Sequence, residues 1–273
     1  MHSLLDPFIL IKIAAAIVIV VTASRATERL GPFLGSMIAT LPVSTGPIYV
    51  FLAIDHGPQF ISDSARMGVV AVVASVAFVA VHAMVAQKHA TFVSWLSATA
   101  SWFVVAFLLQ MREWSLGEAC SLFAVCFGFA ILALRRYVVE IKAPAMPRVR
   151  FDLALRSALV ACVVIATTVA SNSVGSAATG TLATYPVVFT SLVLILQPRC
   201  GGPFTASLLV NSLKGLIGFG AALAVLSLAS ARWGSTAGLL LGLAVAVTWN
   251  LALFCLRNQW GQGRLKQIGP DPD

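Results

Sequence analysis

Long apolar runs bounded by charged residues, Gly or Pro recur along the whole chain and constrain its fold more than any other feature. A bilayer core about 30 Å thick is crossed by about 20 apolar residues of helix, which is the length of these runs. Composition agrees, because 59% of the residues are hydrophobic and only 10% are charged. The sequence therefore predicts an all-α polytopic membrane protein with nine spans, at residues 7–23, 31–54, 65–87, 90–111, 115–134, 152–171, 175–197, 203–231 and 234–256.

The distribution of Lys and Arg between the spans predicts the orientation. If the loop after the fifth span is cytoplasmic, 13 basic residues lie inside and three, Arg66, Arg112 and Arg232, lie outside. Because cytoplasmic loops carry the excess of basic residues, we expect the N-terminus outside and the C-terminus in the cytoplasm, in a bacterial inner membrane. The net charge of +8 is spread over these loops, whereas a nucleic-acid partner would require one basic face.

An internal repeat emerges when the chain is shifted by 144 residues against itself. Thr40 then meets Thr184 and Pro42 meets Pro186, within Ala-Thr-Leu-Pro-Val and Ala-Thr-Tyr-Pro-Val. Matches of Ala, Val or Leu alone are expected in any hydrophobic chain, so the Pro and Thr matches carry the inference. Spans one to four correspond to spans six to nine, and the odd number of spans between equivalents makes the two repeats inverted, as in many secondary transporters. The expected regions are a first membrane repeat at 1–112, a linker helix and cytoplasmic loop at 113–151, a second membrane repeat at 152–257 and a cytoplasmic tail at 258–273.

Proline interrupts spans two and seven at equivalent places. Pro42 and Pro47, with Gly46 between them, predict a break in span two, whereas the single Pro186 predicts a kink in span seven. Freed backbone groups cannot face lipid, so they are buried in protein or line a wet cavity. Paired interruptions are typical of a substrate site near the midplane, although curvature and packing alone also use Pro and Gly. The predicted binding residues at the two interruptions are Thr40, Pro42, Ser44, Thr45, Gly46, Pro47, Tyr49, Thr184, Tyr185 and Pro186.

Two cations and one amide extend the predicted site. Lys214 lies 11 residues after Pro203, about 16 Å into span eight if the helix begins at that proline, and Asn211 shares its helix face. Arg66 has a comparable place in span three. An anionic substrate is the natural partner of cations at this depth. Alternatively, both cations lie at the interfaces with their side chains directed to water, and Asp63 pairs locally with Arg66.

Single polar and aromatic residues within the spans are interpreted as structural. His82 is expected to be a packed or interfacial histidine, and Gly238 and Gly242 are expected to pack one helix against another. The indole side chains are expected to mark the membrane interfaces, for the most part, as an aromatic belt. These residues are Trp95, Trp102, Trp114, Trp233 and Trp260.

Chemistry-bearing motifs are missing from the sequence: no carboxylate lies in the middle of a predicted span, and no Cys/His pairing, phosphate-binding loop or hydrolase motif occurs. We therefore expect no enzyme activity, no cofactor and no bound metal. The predicted function is a secondary transporter that moves a small neutral or anionic organic solute by alternating access. Its expected partners are that small-molecule substrate and membrane lipid, with no nucleic acid and with a homo-oligomer left open. The alternatives are a channel-like facilitator, a membrane-embedded enzyme acting on a phosphate-bearing lipid, and a scaffold subunit.

Overall fold

The computed structural model describes residues 11–12, 14–19, 21–22, 45–139 and 150–267, and the regular structure in these ranges is helical without a strand. The three short ranges near the N-terminus are helical. A short 3₁₀ turn (Arg135–Tyr137) follows the fourth of the α-helices named below. These helices, numbered in chain order, are α1 (Thr45–Asp55), α2 (Pro58–Val85), α3 (Thr91–Gln110), α4 (Leu116–Leu134), α5 (Arg150–Ser173), α6 (Ser176–Ala183), α7 (Val187–Cys200), α8 (Gly202–Trp233) and α9 (Ser235–Gln267).

Seven helical segments in the described ranges are long and apolar enough to cross a membrane. They are Pro58–Val85, Thr91–Gln110, Leu116–Tyr137, Ala154–Ser173, Ser176–Cys200, Gly202–Trp233 and Ser235–Leu256. All seven overlap the predicted spans three to nine, so the structure agrees with a membrane-embedded all-α protein. Of predicted span two only the second part is described, as the shorter apolar helix α1, and much of span one lies outside the described residues.

Helix α2 begins earlier than expected, at Pro58 rather than at residue 65. A proline at the first helical position has a fixed φ that already suits the helix, and it has no N–H that would lack a partner. Within the second and third turns, Arg66 and Asp63 form an ion pair at 2.9 Å between positions i and i+3. This pair confirms the expected local contact, and it accommodates both charges within the helix rather than before it.

The long helices α2 and α8 pack against each other and run antiparallel. At one end, the hydroxyls of Ser62 and Ser227 lie 3.4 Å apart. At the other end, Gly202 approaches the carbonyl oxygen of Ala86 so closely that a Cβ on it would lie 1.8 Å from that oxygen. The neighbouring helices are arranged around this pair: α3 packs beside α2, α9 packs beside α8, and α4 contacts both α2 and α8.

Small residues allow α8 and α9 to approach each other closely. A Cβ on Gly218 would lie 2.3 Å from the ring of Trp249. A Cβ on Gly238 would lie 2.1 Å from the hydroxyl of Ser230, and Gly242 faces the backbone of α8. The glycines of α9 therefore serve helix packing, which confirms their interpretation from the sequence.

Candidate functional site

Span seven is interrupted in its middle. Helix α6 ends at Ala183 and α7 begins at Val187. The residues between them are Thr184, Tyr185 and Pro186. Pro186 has no N–H, and its ring excludes the carbonyl that would stand one turn back in a continuous helix. The N–H groups of Thr184 and Tyr185 donate to carbonyls of α6 at 3.1 Å. Where the sequence predicts only a kink, three residues separate two helices.

In the corresponding part of span two, the structure describes only the residues from Thr45 onward. The predicted site residues outside the described part of the chain are Thr40, Pro42 and Ser44. Helix α1 is described from Thr45 to Asp55, and Thr45, Pro47 and Tyr49 are buried in it. Gly46 has open space where a Cβ would stand. The break between Pro42 and Pro47 stays a prediction.

Residues from the described part of span two and from the interruption of span seven meet at Gly68 of α2. A Cβ on Gly68 would lie 2.9 Å from the phenol oxygen of Tyr49 and 3.2 Å from the Cγ2 methyl of Thr184. It would also lie 3.3 Å from Leu223 of α8. Tyr49 belongs to the half-helix that follows the predicted break in span two, and Thr184 belongs to the interruption of span seven. The structure therefore brings together two predicted site residues that are far apart in the chain.

One turn before Gly68, Ser64 connects both spans to α2. Its carbonyl oxygen accepts a hydrogen bond of 3.1 Å from the Tyr49 hydroxyl. Its own hydroxyl donates to the carbonyl of Ser176, at the start of α6, at 3.1 Å. Helix α6 crosses α2 at the same place, because a Cβ on its Gly180 would lie 2.0 Å from the Ser64 carbonyl oxygen. We call the α2 segment from Ser64 to Gly68 the crossing point, because α1 and α6 both contact α2 there.

Most hydroxyls near the interruption of span seven are bonded within their own span. The Thr184 hydroxyl donates to the Thr181 carbonyl at 2.8 Å. The hydroxyls of Thr179, Thr181 and Ser191 likewise donate to carbonyls three or four residues earlier. A hydroxyl that donates in this way keeps its lone pairs for a second partner. In this arrangement Thr184 can accept a hydrogen bond from a solute. The sequence predicts only a hydroxyl contact, without saying whether the hydroxyl donates or accepts.

An aromatic cluster lies beside the interruption of span seven. The indole ring of Trp102 makes an edge-to-face contact with the Tyr185 ring, with the centroids 5.2 Å apart. Phe103 stacks on the same Tyr185 ring at 5.7 Å. The Tyr185 hydroxyl lies 3.0 Å from the hydroxyl of Thr190 in α7. These contacts attach the interruption to α3, which the sequence does not place near it.

The expected place of Trp102 in an aromatic belt is wrong. Trp102 lies in the middle of α3 and has no exposed surface. The buried face of α3 consists of residues spaced by four, Ser94, Ala98, Trp102 and Ala106. A tryptophan among small residues at this spacing is the signal that could have revealed its burial, because small residues let a neighbouring helix approach.

A buried hydrogen-bond network joins the ends of α2 and α7 to the start of α3. The side-chain amide of Gln197 donates to the Ser94 hydroxyl at 3.0 Å and to the His89 carbonyl at 3.3 Å. Its carbonyl oxygen therefore accepts from His82 Nε2 at 3.0 Å. His82 Nδ1 is buried without a partner among the described residues. The expectation of a packed histidine is confirmed, whereas the part played by Gln197 was not predicted.

No hydrogen bond or ion pair in the described part of the chain joins the predicted cations to the two interruptions. Arg66 is half-buried and paired with Asp63. Lys214 lies well inside α8, which begins at Gly202, and its side chain is exposed, as is that of Asn211. Because the helix starts at Gly202, Lys214 lies about 18 Å from its N-terminal end. The substrate-binding roles of these three residues stay predictions.

Neither a search for metal-binding groups nor a comparison with known proteins assigns a function. In the ranges that the structure describes, no group of three or more His, Cys, Asp or Glu side chains could hold a metal ion. Comparison of the chain with protein-family models, curated proteins and solved structures finds no match. The function is therefore argued from the arrangement of the interruptions and of the helices that contact them.

Proposed function

We propose that this protein is a secondary transporter that moves a small neutral or anionic organic solute across a membrane by alternating access. The solute site is assigned to the region between the interruptions of spans two and seven, beside the crossing point on α2. The observation that carries this proposal is the convergence of Tyr49 and Thr184 on Gly68. Discontinuous helices that meet at a common point are the usual construction of solute sites in inverted-repeat carriers.

The start of one half-helix, and the predicted start of a second, support a neutral or anionic solute. Helix α7 begins at Val187, directly after Pro186, and the break predicted between Pro42 and Pro47 would place a second helix start in span two. The first N–H groups of a helix have no carbonyl partner within it, and the N-terminus carries a partial positive charge. Carbonyl, hydroxyl or carboxylate oxygens of a solute are favoured at such termini, whereas a cation is not.

The bounds of the helices support an inverted repeat. Helices α2 and α8 begin at Pro58 and Gly202, and helices α3 and α9 begin at Thr91 and Ser235. Both pairs of starts are 144 residues apart, which is the shift found in the sequence. Equivalent helices of inverted repeats must run in opposite directions, as α2 and α8 do, and α4 contacts both, as a linker helix would. Rocking of one repeat against the other would alternate access to a site between them.

The proposed setting is a bacterial inner membrane, with the N-terminus outside and the C-terminus in the cytoplasm, as the Lys and Arg distribution favours. The proposed partners are the solute and membrane lipid, with no nucleic acid and with a homo-oligomer left open. The groups that meet at the crossing point are a phenol, a threonine and a glycine. They suit binding better than acid–base chemistry, so the proposal includes no enzymatic reaction, cofactor or metal.

Counterflow in proteoliposomes tests the proposal. The vesicles are loaded with an unlabelled probe and diluted into the same labelled probe, with benzoate and lactate as anions, glycerol as a neutral solute and ethanolamine as a cation. Saturable counterflow of an anion or of glycerol supports the proposal. Fast linear flux without counterflow would identify a channel-like facilitator instead, and absence of protein-dependent flux for every probe would overturn both.

A substitution at the crossing point links any flux to the assigned site. Gly68→Val adds a side chain where Tyr49 and Thr184 converge, so we expect it to lose most of the counterflow. The matched control is Gly128→Val in α4, where a Cβ would meet open space. Equal counterflow in the two variants would show that the solute passes elsewhere.

A further inference from the structure

One face of α3 carries three polar atoms that are buried and have no hydrogen-bond partner among the described residues. They are Trp95 Nε1, Thr99 Oγ1 and Trp102 Nε1. The residues are four and three positions apart, so they follow one face of the helix. Because an unpaired buried donor is unfavourable, three of them on one face point to a partner that the described chain does not supply.

This face of α3 runs antiparallel to α7 and reaches the interruption of span seven. Near the start of α3, the Ser94 hydroxyl accepts a hydrogen bond from Gln197, near the end of α7, at 3.0 Å. Two turns later, Trp102 contacts the ring of Tyr185 in the interruption. The other two unpaired side chains lie between these contacts along α3. The three residues therefore occupy the stretch of α3 that begins beside its contact with α7 and ends at its contact with the interruption of span seven.

The groups at this interface select the chemistry of a ligand. An indole N–H can only donate a hydrogen bond, and a threonine hydroxyl can both donate and accept. A ligand must therefore present an acceptor such as a carboxylate oxygen, because an ammonium group would find no acceptor on the two indole nitrogens. In the described ranges, no Lys or Arg is hydrogen-bonded or ion-paired to these three residues. An anion with several charges would remain uncompensated there, which favours a single charge.

The same interface offers an apolar surface beside the donors. The rings of Trp102, Phe103 and Tyr185 contact one another, with centroid distances of 5.1 to 5.7 Å. Phe103 is half exposed at the outer side of this cluster, and Trp102 is buried at its inner side. An apolar ligand body can pack on such rings while its polar end reaches the indole nitrogen.

We infer that the α3–α7 interface binds a monocarboxylate with an apolar body. The carboxylate accepts hydrogen bonds from Trp102 Nε1 and Thr99 Oγ1, and the body packs on Tyr185 and Phe103. Trp95 supplies a further donor closer to the end of α7. As a solute pathway this site rests on the proposed transport function, whereas its binding of a carboxylate is measured without any transport assay.

Thermal denaturation of the purified full chain in detergent tests the binding. The probes are sodium benzoate and benzylamine hydrochloride, which share a ring and differ in the sign of their charge. A ligand that binds the folded state raises the apparent stability by mass action, and we expect benzoate at tenfold its Kd to raise Tm by about 3 °C. Benzylamine should leave Tm unchanged. No shift with benzoate, or an equal shift with benzylamine, would overturn the inference.

Conservative variants locate the binding. Trp102→Phe removes the indole N–H and keeps a ring, and Thr99→Val removes the hydroxyl with little change of shape. The matched control is Trp249→Phe, since the indole N–H of Trp249 already donates to the Lys214 carbonyl at 3.0 Å. We expect the benzoate shift to be lost in Trp102→Phe, reduced in Thr99→Val and retained in the control. Wild-type shifts in both site variants would place benzoate elsewhere and contradict the inference.

Indole NMR signals of the wild-type protein provide a measurement that needs no folded variant at the site. The chain has six Trp residues, and benzoate should move the Nε1–H signal of Trp102 while leaving that of Trp249 in place. An unmoved Trp102 signal at saturating benzoate would overturn the inference. Benzoate binding that depends on Trp102, together with absent counterflow for every probe, would retain the binding site and refute transport. Counterflow without benzoate binding would support transport and refute the binding site.

Discussion

The α3–α7 interface and the α9–α1 interface occupy positions 144 residues apart in the chain, and both pairs of helices are in contact. Their side chains differ. The polar residues of α3 and α7 are Ser94, Thr99, Trp102 and Gln197, and the residues at a shift of 144 in α9 and α1 are Gly238, Leu243, Ala246 and Ala53. The first set of positions is therefore polar, whereas the set 144 residues away is apolar. The proposed ligand specificity would therefore reside in side chains that have no polar counterpart 144 residues away.

A second pair of equivalent positions differs in the sign of its charge. Asp55, at the end of α1, forms an ion pair with Lys12. Arg199, at the equivalent position in α7, forms an ion pair with Asp152 of α5 at 2.7 Å. Each pair connects the end of the helix to an earlier helical segment. Under the proposed repeat, the two positions would both keep an ion pair, with an acid at one and a base at the other.

The largest effect is expected from Gln197→Leu, which removes the central residue of the polar interface. His82 Nε2 would be buried without its partner, and Ser94 would lose one hydrogen bond while still donating to the Ala90 carbonyl. The free energy of unfolding should fall by about 3 kcal/mol. The matched change in the apolar interface, Ala53→Ser, should change it by less than about 0.5 kcal/mol. Denaturation of both variants in detergent measures the difference. Equal losses would refute the contrast between the interfaces.

A smaller loss is expected at the crossing point. Gly68→Ala places a Cβ 2.9 Å from the Tyr49 hydroxyl, and overpacking of this kind should cost about 2 kcal/mol. At the position 144 residues later, the Ser212 hydroxyl donates to the Leu208 carbonyl of its own helix, so Ser212→Ala should cost less than about 0.5 kcal/mol.

A double-mutant cycle separates the clash at Gly68 from a general effect of the added methyl group. Tyr49→Phe removes the oxygen that the new Cβ would meet, so it should recover part of the loss caused by Gly68→Ala. Thermal unfolding of the single and double variants measures the coupling between the two positions. Strictly additive losses would show that the two side chains are not in contact.

The ion pairs should contribute less. Because the Arg199 and Asp152 side chains are 29% and 24% exposed, Arg199→Ala should cost about 1 kcal/mol or less. The exchanged variant, Asp152→Arg with Arg199→Asp, reproduces the order of charges of the first half. It should return Tm to near the wild-type value. An exchanged variant as unstable as Arg199→Ala would show that the sign of each charge is fixed by other groups.

The smallest effect on stability is expected from Lys214→Ala. The Lys214 side chain is exposed, and in the described part of the chain its ammonium has no hydrogen bond or ion pair. The free energy of unfolding should therefore change by less than about 0.5 kcal/mol, with a correspondingly small change in Tm. The benzoate shift is a separate readout of the predicted anion-binding role. Its loss in Lys214→Ala would assign the lysine to the site, and an unchanged shift would leave binding to the α3–α7 interface.

The fold was more predictable than the site. The spans from the third to the ninth lie where apolar runs place them, and the Arg66–Asp63 pair follows from a spacing of three residues. Pro186 marks the interruption of span seven because a proline acts on its own turn of helix. The convergence of Tyr49 and Thr184 on Gly68 and the hydrogen bonds of Gln197 join residues more than a hundred positions apart, and no local pattern indicates such pairs.

By itself, the sequence determined that the chain consists of membrane-length helices, because apolar runs of about 20 residues satisfy their backbone groups in lipid only as helices. It also determined where proline interrupts those helices. The tertiary structure alone decided which faces point inward, since helices that are apolar on nearly every side have no face marked by composition. The convergence on Gly68 and the exposure of Lys214 depend on which helices are neighbours, and periodicity along one helix does not contain that information.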